Sequence, residues 1–135
     1  PSYAKSRLWT TNEWMERIDR GVEQAFASFV PTCDLHVTLD QALSSAQSEG
    51  AFKIALDNYE ATQPLTAEGS DGKPPIVLAL GPERGWSASE REDLRSRNFE
   101  MRHLGKRVLR METAVVAALG VLLAGYWPDA GPESL

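Results

Sequence analysis

Apolar residues recur along this chain with two different periods, and the alternation between them divides it into helices and strands. Thr10, Thr11, Asn12 and Glu13 offer a helix start with a capping box, after which Trp14, Ile18, Val22, Ala25, Phe26 and Phe29 recur at helical spacing up to Pro31. Asp34 to Val37 reads as a short strand. Thr38 then caps a second helix with Leu39, Leu43 and Ala46 on one side and Gly50 as its stop. Ala51 to Leu56 is a strand by length and apolar content, and Asn58 to Pro75, with Gly69, Ser70, Asp71, Gly72, Pro74 and Pro75, is an exposed loop. Ile76 to Leu80 is a continuous apolar run, the pattern of a strand buried on both faces of a parallel sheet. Ser87 with Glu90 makes a second capping box that opens a polar helix to about Asn98. Phe99 to His103 is a further strand, and Met111 to Leu123 a final apolar helix with Gly125 just beyond. Strands alternating with helices predict an α/β domain with a mostly parallel sheet flanked by helices.

Composition narrows the class. With 135 residues, 42% apolar and 24% charged, the chain has the balance of one folded domain and not of a disordered segment. Cys33 is the single cysteine, so an intrachain disulfide is excluded, and with His36 and His103 it is too little for a structural zinc site. A reducing, cytoplasmic setting fits. The longest apolar run, Ala114 to Trp127, is broken only by glycine and falls short of the roughly 20 residues that cross a bilayer, so it reads as a buried helix. The residues from Pro1 to Arg7 lack the apolar stretch of a signal peptide, and the absence of an initial Met reads as a trimmed chain.

Charge is unevenly placed. The total is -5, yet Arg91 to Arg110 carries Arg91, Arg95, Arg97, Arg102, Lys106, Arg107 and Arg110 against Glu92, Asp93 and Glu100, a local net of +4 that leaves about -9 for the rest. A local basic patch fits a local anionic partner such as nucleic acid, and equally a solvated helix face with ordinary surface arginines.

In parallel α/β sheets ligands bind outside the carboxyl ends of strands, and two glycine-containing turns follow predicted strands here. In the first, Gly81 and Gly85 permit close backbone approach before a helix start with free N–H groups, although a plain turn needs the same residues. Neither G-x-G-x-x-G nor G-x-x-x-x-G-K-[ST] is present, so a dinucleotide site and a P-loop are unsupported. The second turn sets Lys106, Arg107 and Arg110 beside Gly105. Arg110 could bind phosphate, steady an anionic base, or hold Glu112 in an ion pair, and spacing alone leaves all three open. No Ser/His/Asp or Cys/His arrangement points to covalent catalysis.

Leu78-Ala79-Leu80-Gly81-Pro82-Glu83-Arg84-Gly85-Trp86-Ser87, followed by Leu104-Gly105-Lys106-Arg107-Val108-Leu109-Arg110-Met111-Glu112-Thr113-Ala114, resembles the small-subunit (16S) ribosomal RNA uridine-N3 methyltransferases of the SPOUT superfamily. That family pairs a G-P-E-G-G-like loop with a later L-G-x-R-(I/V)-L-R-x-E-T-A segment before a helix. Upstream, Glu23-Gln24-Ala25 and Val30-Pro31 are similar to its E-Q-x helix ending near V-P. Arg84 stands where the commoner pattern has a second glycine, and Met111 where Thr is frequent.

The resemblance implies a C-terminal trefoil knot, an exception to the rule that chains are unknotted. It implies S-adenosylmethionine as cofactor, held by Leu80, Gly81, Glu83 and Gly85 from the first loop and His103, Leu104, Gly105, Val108 and Leu109 from the second. It also implies small-subunit ribosomal RNA as substrate and a homodimer, with Met111 to Leu123 near the partner. Arg110 is then the expected catalytic residue, stabilising the uracil anion or its phosphate, and Arg84, Lys106 and Arg107 the expected RNA contacts. Neither metal nor membrane is expected. Residues 1–135 read as a SPOUT-like methyltransferase domain without the family's N-terminal RNA-binding domain and first strand-helix unit. Two alternatives stand beside it: a non-catalytic knotted RNA-binding or dimerisation module, and an unrelated α/β nucleotide-binding domain.

Overall fold

The structure, a computed structural model, describes residues 6–46, 49–67 and 75–124. The backbone packs into two compact units, Pro1–Leu35 and His36–Leu135. In the first unit a short helix α1 (Arg7–Thr10) is followed by α2 (Glu13–Gln24). Asn12 turns the chain between them in a left-handed conformation at φ 58°, a position Asn accepts more readily than most residues. Its side chain makes no cap bond, so the expected capping box at this helix is absent. An Arg17–Glu13 pair at 2.8 Å, one turn apart, supports the exposed side of α2. The helical spacing predicted continuation to Phe29. Instead the helix stops at Gln24 because Phe26 adopts φ 50°, and Phe26 and Phe29 stand exposed. The strand expected at Asp34 to Val37 does not form either, for these residues pair with no other strand.

The second unit holds α3 (Leu39–Ser45), β1 (Phe52–Leu56), β2 (Gln63–Pro64), β3 (Ile76–Leu80), α4 (Ala88–Ser96), β4 (Glu100–His103) and α5 (Met111–Leu123). Thr38 caps α3 by accepting from the Gln41 N–H at 3.2 Å. Ser87 and Glu90 close the predicted capping box of α4 from both sides. β2 lies inside the segment expected to be entirely loop.

The four strands form one sheet in the order β2-β4-β1-β3, with every pairing parallel. Parallel strands need both faces covered, and alternation along the strands supplies two apolar faces. Ala55 of β1, with Val77 and Ala79 of β3, packs on one side with Leu43, Trp86, Leu94 and Phe99. Ile54, with Ile76 and Leu78, packs on the other with Leu65, Ala118 and Leu122. α5 therefore buries one face on the sheet. It is not buried all round, because Val116, Leu119 and Leu123 are exposed at 72%, 44% and 42%.

Leu94, fully buried between α4 and the sheet, tests this packing. Leu94→Ala is expected to lower stability by about 2–4 kcal/mol, read from the midpoint of urea unfolding at unchanged slope.

Candidate functional site

The carboxyl ends of β3, β1 and β4 lie side by side, and the loops leaving them enclose an open cleft of about 100 Å3. β1 contributes Leu56 and the turn Asp57, Asn58 and Tyr59. β3 contributes Leu80, Gly81, Pro82, Glu83, Gly85 and Trp86. β4 and the start of α5 contribute Leu104, Val108, Leu109, Met111 and Ala114. Apolar walls with a few polar groups are the usual make-up of a small-molecule site.

Of the residues expected to hold a cofactor, Leu80, Gly81, Glu83, Gly85, Leu104, Val108 and Leu109 line this cleft, although residues 86–103 separate the two loops along the chain. His103 and Gly105 lie beside it, joined to each other by the Gly105 N–H donating to His103 Nδ1 at 3.0 Å. The glycines of the first loop have an internal cause. A Cβ on Gly81 would sit 3.0 Å from the Trp86 ring, whose Nε1 donates to the Leu56 carbonyl at 2.9 Å. Gly85 has φ 76°, and a Cβ there would sit 3.0 Å from Tyr59 Cε2. Both absent side chains let aromatic rings close the loop onto the end of β1.

Asp57 is the residue that sequence reasoning missed most consequentially. Its carboxylate is 1% exposed and accepts from Arg91 Nε at 2.5 Å and Nη2 at 3.2 Å, while its Oδ1 also accepts from the Tyr59 N–H at 2.9 Å. Burial pushes the Asp57 carboxyl up, but the Arg91 hydrogen bonds and charge and the backbone N–H groups of Tyr59 and Glu60 outweigh it and hold it below the usual aspartate range. Asp57 follows β1, the strand between the two that lead into the glycine-containing loops. That position was the available signal.

The local positive charge resolves into separate pairs. Arg91 is buried on Asp57, Arg95 bonds Glu60, Arg97 bonds Asp40 across to α3, and Arg102 meets Glu100 at 2.6 Å. Lys106, Arg107 and Arg110 are exposed and, among the described residues, pair with no acid. The Arg110–Glu112 pair left open by the spacing is thus not formed. Arg110 is the N-cap residue of α5, between Leu109 and Met111 of the cleft wall. Arg84, exposed on the first loop, grips Glu90 with both amino groups at 2.7 and 3.1 Å. With the Ser87 N–H this holds the Glu90 carboxyl down at about 2.

A parallel α/β sheet with a strand-end cleft, and cations near it that pair with no acid among the described residues, is an arrangement suited to a small molecule beside an anion. Residues 1–123 match the family model of the RNA methyltransferase domain, and the chain belongs to that family. It is 30% identical over 131 residues to ribosomal RNA small subunit methyltransferase E of Treponema pallidum, covering 91% of this chain and 47% of that protein. The crystal structure of a ribosomal RNA small subunit methyltransferase E from Neisseria gonorrhoeae bound to S-adenosyl methionine superposes with a TM-score of 0.71 at 25% identity, over 90% of this chain and 52% of that one. A protein of Legionella pneumophila assigned as a methyltransferase, in complex with bound S-adenosylmethionine, gives a TM-score of 0.68 at 31% identity, over 85% and 46%. The chain spans about half the length of the relatives it matches.

Two measurements check the site's electrostatics. Asp57→Ala leaves Arg91 buried with Glu60, 3.5 Å away, as its acidic partner among the described residues, and is expected to cost about 3 kcal/mol in denaturant unfolding. Because Glu90 is lowered in the folded chain from 4.5 to about 2, its contribution is complete above pH 4.5 and disappears as pH falls toward 2. Glu90→Gln should therefore flatten stability against pH across that interval by about one proton.

Proposed function

We propose that this chain is the SPOUT-like domain of an S-adenosylmethionine-dependent methyltransferase acting on N3 of a uridine in small-subunit ribosomal RNA. The observation that carries this reading is the cleft itself. Two separate loops, each matching the family pattern, leave β3 and β4 on either side of β1 and meet across its carboxyl end, with three cations at the second that pair with no acid among the described residues. Its side chains suit the cofactor: Leu80, Leu104, Leu109 and Met111 offer apolar walls to a flat adenine, and Glu83 a carboxylate to polar groups. Relatives of this fold hold S-adenosylmethionine.

When bound, S-adenosylmethionine supplies a sulfonium methyl group that passes to the uracil nitrogen. The protein's part is to orient the base and favour loss of the N3 proton. Arg110, the N-cap of α5 between the cleft-lining Leu109 and Met111, stabilises the negative charge that develops on the uracil or its neighbouring phosphate. Lys106 and Arg107 hold the RNA backbone. Arg84 gives the first loop its order through Glu90 and adds a cation on that side. His103 and Gly105 shape the backbone turn that carries Leu104 into the cleft.

In this reading the C-terminal part of the sheet is tied in a trefoil knot, residues 1–135 form the methyltransferase domain, and the setting is cytoplasmic. The bare apolar side of α5, with Val116, Leu119 and Leu123, supports a homodimer.

Titration calorimetry should show S-adenosylmethionine binding, and a labelled-methyl assay should show transfer to small ribosomal subunits. Arg110→Ala is expected to abolish transfer with cofactor affinity retained. Absence of cofactor binding would favour the non-catalytic module, and full activity of Arg110→Ala would remove that residue from the reaction.

A further inference from the structure

Two aromatic side chains line the cleft, and they differ in kind. Trp86 is buried, with its indole N–H spent on the Leu56 carbonyl. Tyr59 is 69% exposed and yet held in place. Its backbone N–H donates to Asp57 Oδ1 at 2.9 Å, the Arg91 guanidinium lies 5.8 Å from its ring centroid, and Gly85 leaves room for its edge where a Cβ would come within 3.0 Å. Arg91 is in turn fixed by the buried Asp57 carboxylate.

The neighbouring Asn58 donates from Nδ2 to the Arg107 carbonyl at 2.9 Å. This bond ties the loop that carries Tyr59 to the loop that carries Lys106, Arg107 and Arg110. An ordered, open ring beside unpaired cations is the arrangement by which proteins take single-stranded nucleic acid: bases stack on the ring and phosphates meet the charges. Packing against Gly85 and Arg91 uses only part of the ring, because Tyr59 remains 69% exposed.

On the reading of this chain as an RNA methyltransferase, we propose that Tyr59 is a substrate-binding residue whose ring stacks on the nucleobase presented to the cleft. Arg91 acts behind it as a positioning residue, through Asp57 and the ring. Stacking a base on an aromatic side chain is worth about 1–3 kcal/mol, which corresponds to roughly 5- to 150-fold in affinity.

The test compares oligouridylate with an abasic ribose-phosphate oligomer of the same length and charge, at one fixed salt concentration. The chain is expected to bind oligouridylate about tenfold more tightly. Tyr59→Phe should keep that preference, and Tyr59→Ala should erase it while the abasic oligomer binds as before and the melting temperature stays within a few degrees. Equal binding of both oligomers by the unaltered chain overturns the proposal. So does a Tyr59→Ala chain that keeps the preference and loses S-adenosylmethionine affinity instead, since the ring would then serve the cofactor. If no variant binds S-adenosylmethionine but the uridine preference still vanishes with Tyr59→Ala, base stacking stands and the methyltransferase reading falls.

Discussion

β1 is hydrogen-bonded in parallel on both sides, to β3 and to β4, and most of the second unit follows from that pairing. A strand placed so has no free edge and no wet face, which is why Ile54 and Ala55 are wholly buried on opposite sides of the sheet. Parallel direction also brings three carboxyl ends to one edge, so that loops distant in sequence share a cleft. The chain must then leave β1 where backbone and side-chain polar groups have little water. Asp57 meets this constraint by taking the Tyr59 N–H and the Arg91 side chain, which turns a difficult strand end into an anchored loop.

That anchor explains why a count of charges misleads. Seven cations in twenty residues look like one basic surface, but four of them pair with acids, three of those across elements of the fold. Arg91 and Arg95 pin the turn after β1 to α4, and Arg97 pins α3 to the far end of the same helix. The exposed pairs among these add little stability each, but they set which charges remain for a partner. What remains is confined to the loop after β4. The smaller set is the more informative one, since three unpaired cations next to an apolar cleft specify a location that a diffuse patch would not.

Much of this was legible in the residues. The run Ile76–Leu80, the box of Ser87 and Glu90 and the helix Met111–Leu123 all stand where their pattern put them, because each is decided locally. β2 could not be read, since Gln63 and Pro64 have no strand character and are placed only by pairing with Arg102 and His103. The end of α2 was misread for the opposite reason: the spacing of Phe26 and Phe29 is helical, but the backbone turns at Phe26 and leaves both rings in solvent. Most residues expected from the two motif loops line the cleft, and the turn Asp57 to Tyr59, which lines it too, was not among the expected ones. Asp57 and Arg91 are 34 residues apart, and nothing local in either announces the other.

α5 links the parts that were seen separately. Its first turn, with Met111 and Ala114, forms cleft wall directly after Arg110; its middle, with Ala118 and Leu122, packs on the sheet; and its remaining side is apolar and bare. A helix that is apolar all round lacks a solvated face to set its rotation, so its orientation depends on what each side contacts. The sheet holds one side. Any protein surface covering Val116, Leu119 and Leu123 would hold the other, and through the rigid helix would fix the position of Arg110 at the cleft. The catalytic placement proposed for Arg110 and the association proposed through α5 are therefore coupled by one element and stand on the same helix rotation.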